Sequence, residues 1–208
     1  MVCSDEFYVY LNRKPNCRND IVWATTTEEI ADHERYRLTV KHPQCIGIYV
    51  CFSVRRMIWV IKEQGESWNG EYFRNTILQQ HVLPFLANPL NVLDVDQTTF
   101  LHDKAPCFKA LATQQLLRDH NIDFFGNQEW PGNSPDLNPC ENFGSIIKDT
   151  VEARLHRERN LTMEGLRNTL NNVLRSLEND TNLFEHLLRS FPDRLAAVIA
   201  ARGGHTSY

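Results

Sequence analysis

The sequence lacks the patterns that mark membrane-spanning and secreted proteins. Its 208 residues contain no run of about eighteen apolar residues, and residues 1–11 show no basic start followed by a long apolar stretch. A spanning helix needs the first of these features, and a secretory signal needs the second. We therefore expect an intracellular protein that is not secreted and has no membrane partner.

The cysteine and histidine spacings typical of zinc sites are missing too. The six cysteines include no C-x-x-C pair, and the eight histidines include no H-x-x-x-H spacing. Close ligand spacings of this kind build most structural zinc sites. The sequence thus argues against zinc and, for an intracellular protein, against disulfides, so the thiols are expected to be buried and reduced.

The sequence also has no excess of positive charge. Lys and Arg number 22 against 26 Asp and Glu, a net charge of −4, which is the wrong sign for gripping nucleic acid by bulk charge. Any such binding must be local or supplied by another segment. With 42% hydrophobic residues the composition is typical of a globular protein. We expect residues 1–208 to form one domain, with a sheet core over 1–150 and C-terminal helices over 151–208.

Short runs rich in β-branched and aromatic residues predict strands in the first part of the chain. They are Phe7–Leu11, Ile21–Ala24, Ile46–Phe52 and Met57–Ile61, with shorter runs at Thr98–Leu101 and Ile122–Phe125. The charged segment between Thr25 and His42 is interpreted as an excursion from the sheet.

Apolar spacings of three and four residues predict helices between and after these strands. One helix follows Asn69, a candidate N-cap. A second helix opens at Pro106, and its expected apolar side is Phe108, Leu111, Ala112 and Leu116.

The last third of the chain is predicted to be helical, beginning with the N-cap and first-turn pair Asn138–Pro139. Ser190 to Asp193 resembles a capping box that restarts the last helix, and Gly203–Gly204 is expected to close it. Strands followed by alternating helices and strands indicate an α/β fold, a mixed β-sheet flanked by helices with a helical C-terminal third.

Three acidic residues lie where such a scaffold would bring them together. Asp5 is at the start of the first strand run, Asp103 follows Thr98–Leu101, and Glu141 is in the first turn after Pro139. Carboxylates about 5 Å apart repel by roughly 3 kcal/mol per pair at an effective dielectric of about 20, so three of them would protonate or move apart unless cations lie between them. Oxygen ligands select Mg²⁺ or Mn²⁺, and two such ions form the clamp used in phosphodiester chemistry.

Three stretches of the sequence resemble the catalytic domain of Tc/mariner superfamily transposases. They are Leu101–Cys107 (LHDKAPC), Trp130–Asn142 (WPGNSPDLNPCEN) and Gly203–Thr206 (GGHT). The second stretch is the most specific of the three, and it follows the first in the family's order. The likeness extends over essentially the whole chain.

The resemblance implies a ribonuclease H-like fold and a DDE triad, in which Asp5, Asp103 and Glu141 are catalytic and bind two Mg²⁺ or Mn²⁺ ions. It also implies cleavage of DNA at transposon ends and transfer of the 3′ ends to TA target DNA in the nucleus. DNA is then the partner, no small-molecule substrate is expected, and a homodimer is left open. Relatives carry two N-terminal helix-turn-helix modules; because the sequence starts four residues before Asp5, we expect these modules to be absent.

Glu141 and Asp103 also have plain structural explanations, and the choice of Asp5 has a competitor. Glu141 is placed to serve in a capping box begun by Asn138, and Asp103 to form a turn at the strand end. Asp5 competes with Glu6, because a strand points neighbouring side chains to opposite faces, and Asp5 is chosen by resemblance.

Other charged residues near these acids have simpler roles. Lys104 and Lys109 flank Asp103 and are candidate DNA contacts, although lone lysines are usually solvated. Asp94 and Asp96 are interpreted as the polar approach to a strand. Two other functions stay open: a decayed or domesticated transposase remnant that binds DNA or a partner without catalysis, and a general ribonuclease or resolvase on the same fold.

Overall fold

A mixed five-stranded sheet forms the centre of the computed structural model, which describes residues 1–12, 22–35, 43–63, 65–132, 134–157, 161–204 and 206–208. Its order is β3-β2-β1-β4-β5. Strand β1 is antiparallel to β2 and parallel to β4, β2 is antiparallel to β3, and β4 is parallel to β5. The strands are β1 Val2–Tyr10, β2 Cys45–Phe52, β3 Met57–Ile61, β4 Thr99–Leu101 and β5 Asp123–Phe124. The expected mixed sheet is confirmed.

Between β1 and β2, residues 22–35 form no strand, so the predicted excursion is confirmed over 25–35, while residues 36–42 lie outside the described residues. A 3₁₀ turn at Thr27–Glu29 and a short helix, α1 (Asp32–Arg35), lie within 25–35. The predicted strand Ile21–Ala24 is wrong over 22–24, and Ile21 lies outside the described residues together with Cys17. Trp23 is 89% exposed, so this β-prone run has no sheet neighbour to pack against.

The predicted helix after Asn69 is confirmed. Helix α2 (Gly70–Tyr72), a π-helical segment (Phe73–Val82) and α3 (Leu83–Leu86) follow one another without a break, and the Asn69 side chain accepts a hydrogen bond from the Tyr72 N–H at 2.8 Å, which confirms the N-cap. The later helices are α4 Pro106–Lys109, α5 Leu111–Asp119, α6 Pro139–Leu155, α7 Met163–Leu177, α8 Thr181–Arg189 and α9 Phe191–Ala200. Within the described parts of the chain, no helix combines the length and apolar character needed to cross a bilayer.

The two faces of the sheet carry separate apolar cores. Cys3, Phe7 and Val9 of β1 pack with α6, α7 and α8, whereas Val2 packs with the 70–86 helix and α4. This division follows from the alternation of side chains along a strand. It places Asp5 on the α6 side and Glu6 on the other. The single domain and its subdivision near residue 150 stay predictions; α6 itself crosses that position.

Helix α6 approaches β1 closely at Gly144. A Cβ atom at this position would lie 3.1 Å from Cδ1 of Phe7, closer than ordinary van der Waals contact. Phe143, its neighbour, is fully buried and its ring centroid lies 5.0 Å from that of Phe52. The absence of a side chain at residue 144 therefore lets the helix lie directly on the strand.

The ends of α9 differ in how well the sequence predicts them. The capping box at Ser190 is wrong, because the Ser190 hydroxyl donates to the Leu187 carbonyl at 2.6 Å and accepts from Arg194 Nε at 2.7 Å. The closing turn is confirmed: Gly203 has φ +79°, and its N–H donates to the Val198 carbonyl at 3.0 Å.

The helix predicted from Pro106 is interrupted at Ala110, which has an extended conformation (φ −56°, ψ 129°). The break shifts the helical phase, so the expected apolar side is wrong at Leu111 and Ala112, which are exposed, whereas Leu116 is partly buried and packs against the same core as Phe108. Leu111 is 81% exposed, and the buried residues of α5 are Thr113, Gln114 and Leu117.

This phase shift predicts opposite outcomes for two leucines on one helix. Leu117→Ala should lower the free energy of unfolding by about 2–5 kcal/mol, because it leaves a cavity in the core. Leu111→Ala should change it by less than about 0.5 kcal/mol. Urea denaturation of both variants measures the difference. Equal losses would contradict the interruption at Ala110.

Candidate active site

Asp5 lies inside β1, opposite Val50 of β2, and is only 7% exposed. It was expected at the strand start, but the strand begins three residues earlier, at Val2. The backbone N–H of Glu6 donates to Asp5 Oδ1 at 2.8 Å. The Asp5 side chain thus lies on the α6 side of the sheet with little access to water.

Asp103 follows β4 by two residues and is half-buried. Because β4 pairs in parallel with the start of β1, the chain after Leu101 runs past the middle of β1. Asp103 Oδ1 accepts a hydrogen bond from the Ala105 N–H at 3.0 Å. Asp103 therefore forms the expected turn into α4 and also lies close enough to raise the pKa values of Asp5 and Glu141.

Glu141 lies in the first turn of α6, whose start is fastened to β1 by Asn138. The Asn138 side chain accepts from the Cys140 N–H at 3.1 Å and donates from Nδ2 to the Ser4 carbonyl at 3.1 Å. The N-cap is thus confirmed. The Asn138 N–H, which a capping-box glutamate would bind, donates instead to the Pro135 carbonyl at 3.1 Å.

Electrostatic coupling joins the three acids. Burial raises the pKa of Asp5 to about 8, and the charges of Glu141 and, more weakly, Asp103 contribute to the rise. Burial also raises the pKa of Glu141, although nearby Lys148 and a side-chain hydrogen bond with Asp5 oppose this. Ionisation of either carboxyl disfavours ionisation of the other, so the two acids titrate as a pair.

These donors fit a hard divalent cation chemically, although they are not arranged as a closed cage. In the ranges the structure describes, no group of three or more His, Cys, Asp or Glu has the geometry to hold a metal ion. The donors themselves are carboxylate oxygens, the preferred ligands of Mg²⁺ and Mn²⁺. Burial and, after it, the charges of Glu141 and Asp103 raise the Asp5 pKa, and a cation would relieve the repulsion among these charges.

Comparison with known proteins identifies relatives in both sequence and fold. The chain is 28% identical over 109 residues to the transposable element Tc3 transposase of Caenorhabditis elegans, a match covering 52% of this chain and 31% of that protein. No protein-family model matches. The Mos1 transposase catalytic domain with raltegravir and Mg superposes with TM-score 0.64 at 16% identity, covering 99% of this chain and 85% of that chain. The mariner Mos1 paired end complex with Mg gives TM-score 0.69 at 18% identity, covering 99% and 56%.

The resemblance to the Tc/mariner transposase catalytic domain is confirmed. The ribonuclease H-like class of the mixed sheet is confirmed with it. The chain spans about a third of the length of the Tc3 transposase that it matches.

Lys148 is a residue of this candidate site that the sequence analysis missed. It lies on α6 seven residues after Glu141, and its ammonium is 5.2 Å from the ring centroid of Phe7. Its charge lowers the pKa values of Asp5 and Glu141. A spacing of seven residues places two side chains on one helix face, and this signal was available in the sequence.

The remaining charged candidates separate by position. Lys104 is half-buried beside Asp103 and Lys109 is exposed at the end of α4, so DNA contact by either stays a prediction. Glu6 lies on the other sheet face, where burial raises its pKa and Lys62 lowers it. Asp94 accepts from the N–H of Asp96 at 3.0 Å and so forms a surface turn.

The raised pKa of Asp5 predicts a specific pH dependence of stability. Between its usual value of 3.8 and about 8, the folded protein binds more protons than the unfolded chain, so stability falls as the pH rises through this window. Asp5→Asn cannot ionise and should lack this loss. At pH 8 without divalent metal, the variant should be more stable than the wild type by an amount on the order of a few kcal/mol.

Urea unfolding at pH 4, 6 and 8 measures this effect. Asp119→Asn on the exposed side of α5 is the control and should retain the wild-type slope. An unchanged slope in Asp5→Asn would show that the Asp5 carboxyl is solvated.

Proposed function

We propose that this chain is the catalytic domain of a transposase that cleaves DNA and transfers its 3′ ends to TA target sites, with transposon-end and target DNA as partners, in the nucleus. Residues 101–107 and 130–142 carry the family motifs, and the neighbours with this fold are transposases. One of them is a Mos1 strand transfer complex. The observation that supports the proposal most is the coupling of Asp5 to Glu141 and Asp103 in that fold.

The proposed roles of the three acids follow from their surroundings. Asp5, in β1, and Asp103, just past the end of the parallel neighbour β4, would anchor two Mg²⁺ or Mn²⁺ ions, and Glu141 would hold the second ion. Bound ions of this kind activate an attacking oxygen and stabilise the leaving oxygen of a phosphodiester. Asp5 must lose its proton before it can serve as a ligand, and Lys148 favours that loss.

The proposed reaction has two displacements at phosphorus. Water first attacks a DNA phosphodiester, whose P–O3′ bond breaks to leave a free 3′-hydroxyl. This hydroxyl then attacks a phosphodiester of the target, forming one P–O bond as another breaks. The chain contributes carboxylates that would hold the metal ions in place. No covalent intermediate with the protein forms.

Replacing the second acid tests the proposal. Asp103→Asn keeps the turn acceptor for the Ala105 N–H but loses a negative charge, so Mn²⁺-dependent nicking of supercoiled plasmid should fall to the uncatalysed background. Asp94→Asn, a matched change in a surface turn, should nick at the wild-type rate. Unchanged nicking by Asp103→Asn would place the activity elsewhere, and activity confined to RNA–DNA hybrids would favour a ribonuclease.

Metal binding gives a second prediction that does not need activity. Saturation at about 100 times the dissociation constant stabilises a folded protein by roughly 2.7 kcal/mol, which should raise the melting temperature by about 5–10 °C. The rise should be larger at pH 8 than at pH 6, because protons compete for Asp5.

Thermal melts with millimolar Mn²⁺ measure this shift, with Asp103→Asn as the variant that should lose it and Asp94→Asn as the variant that should keep it. A folded wild-type chain that is not stabilised at either pH would favour a catalytically decayed remnant.

A further inference from the structure

Arg194, near the start of α9, is a buried charge that the sequence analysis did not single out. It is 3% exposed, and its guanidinium donates three hydrogen bonds. Nη1 donates to the Asp136 carbonyl at 2.9 Å, Nη2 to Asn142 Oδ1 at 2.9 Å, and Nε to Ser190 Oγ at 2.7 Å. All three acceptors are neutral. Burying a cation is costly unless its hydrogen bonds are satisfied, and these three bonds give each guanidinium nitrogen an acceptor and hold the group in one orientation.

Two of these bonds bracket the turn that carries Glu141. Asp136 precedes the N-cap Asn138, and Asn142 directly follows Glu141. The planar, rigid guanidinium therefore joins the loop before α6 to the first turn of α6. Asn138 holds the same turn to β1 as well, because its side chain donates to the carbonyl of Ser4, the residue before Asp5.

The C-terminal residues cover this arginine. The ring centroid of Tyr208 lies 4.8 Å from the Arg194 guanidinium carbon, and Thr206 Oγ1 donates to Asp136 Oδ2 at 3.0 Å. These contacts join the tail to the same loop that Arg194 binds. The cation is thereby kept between α9, the loop before α6 and the tail.

We infer that Arg194 is a positioning residue, which sets the place of Glu141 relative to Asp5 by holding the first turn of α6 from the α9 side. The inference rests on the proposed function of the Asp5–Glu141 site and adds to it a dependence on the C-terminal helix. Arg194 does not itself touch the acids in this arrangement. Its effect should be seen in how tightly they bind a cation.

Two substitutions test the inference from either end of one hydrogen bond. Arg194→Lys keeps the charge but cannot bind two acceptors in a plane, and Asn142→Ala removes an exposed acceptor without altering the core. In the full 208-residue chain, each should raise the Mn²⁺ concentration for half-saturation, followed by electron paramagnetic resonance of free Mn²⁺, by about 10-fold or more. At saturating Mn²⁺, the nicking rate should fall by a smaller factor than the factor by which the half-saturating concentration rises.

Two controls separate positioning from general stability. Arg189→Lys on α8 is an exposed change of the same type and should bind Mn²⁺ like the wild type. Leu188→Ala removes core packing but none of these hydrogen bonds, so it should lower the melting temperature without moving the half-saturation.

The outcomes are distinct. A folded Arg194→Lys or Asn142→Ala variant with wild-type half-saturation overturns the inference while leaving the proposed function intact. If Arg194→Lys fails to fold, Asn142→Ala decides by the same criterion. A wild-type chain that binds no Mn²⁺ overturns the proposed function, and this inference falls with it.

Discussion

Repulsion between the buried Asp5 carboxyl and its half-buried acidic neighbours is the constraint on which the candidate site depends. Asp5 is buried in a strand, so it cannot move into water without disturbing the core, whereas Glu141 is half-buried on a helix packed against that strand. Water has little access to Asp5, so a proton on its carboxyl or a bound cation relieves the repulsion there. The burial that stabilises the sheet and α6 is therefore also what makes the site hold a proton near neutral pH.

The sheet topology explains why acids so distant in sequence meet. Strand β1 is central, pairing in opposite directions with β2 and β4, and its two faces pack against different helices. The parallel neighbour supplies Asp103 at its end, and the helix on one face supplies Glu141. The neutral hydrogen bonds around Asn138 do not titrate, so they hold these parts at any pH at which the protein is folded.

Patterns within one element could be predicted from the sequence, whereas features set by contacts between elements could not. Strand β3 and the caps at Asn69 and Asn138 depend on neighbouring residues, and their predictions are confirmed. The interruption at Ala110 has no proline or glycine to mark it. Similarly, Ser190 has the sequence of a cap, but its hydroxyl is used by a carbonyl behind it and an arginine ahead.

The acids of the candidate site illustrate the same limit. Their identities follow from motifs, and the alternation of side chains in β1 places Asp5 rather than Glu6 toward α6. The raised pKa of Asp5 requires knowledge of how deeply it is buried and which charges surround it. No local pattern shows that Arg194 would reach Asn142, 52 residues earlier.

The close approach at Gly144 links packing volume to electrostatics. Residue 144 lies less than one helical turn beyond Glu141, and its missing side chain lets α6 rest on the ring of Phe7. A side chain added there would press against that ring, so either the ring or the helix, with its carboxylate, would have to shift. The interaction between the Asp5 and Glu141 carboxyls therefore depends on the small size of residue 144. The electrostatics of the site and the packing of α6 on β1 are linked through this position.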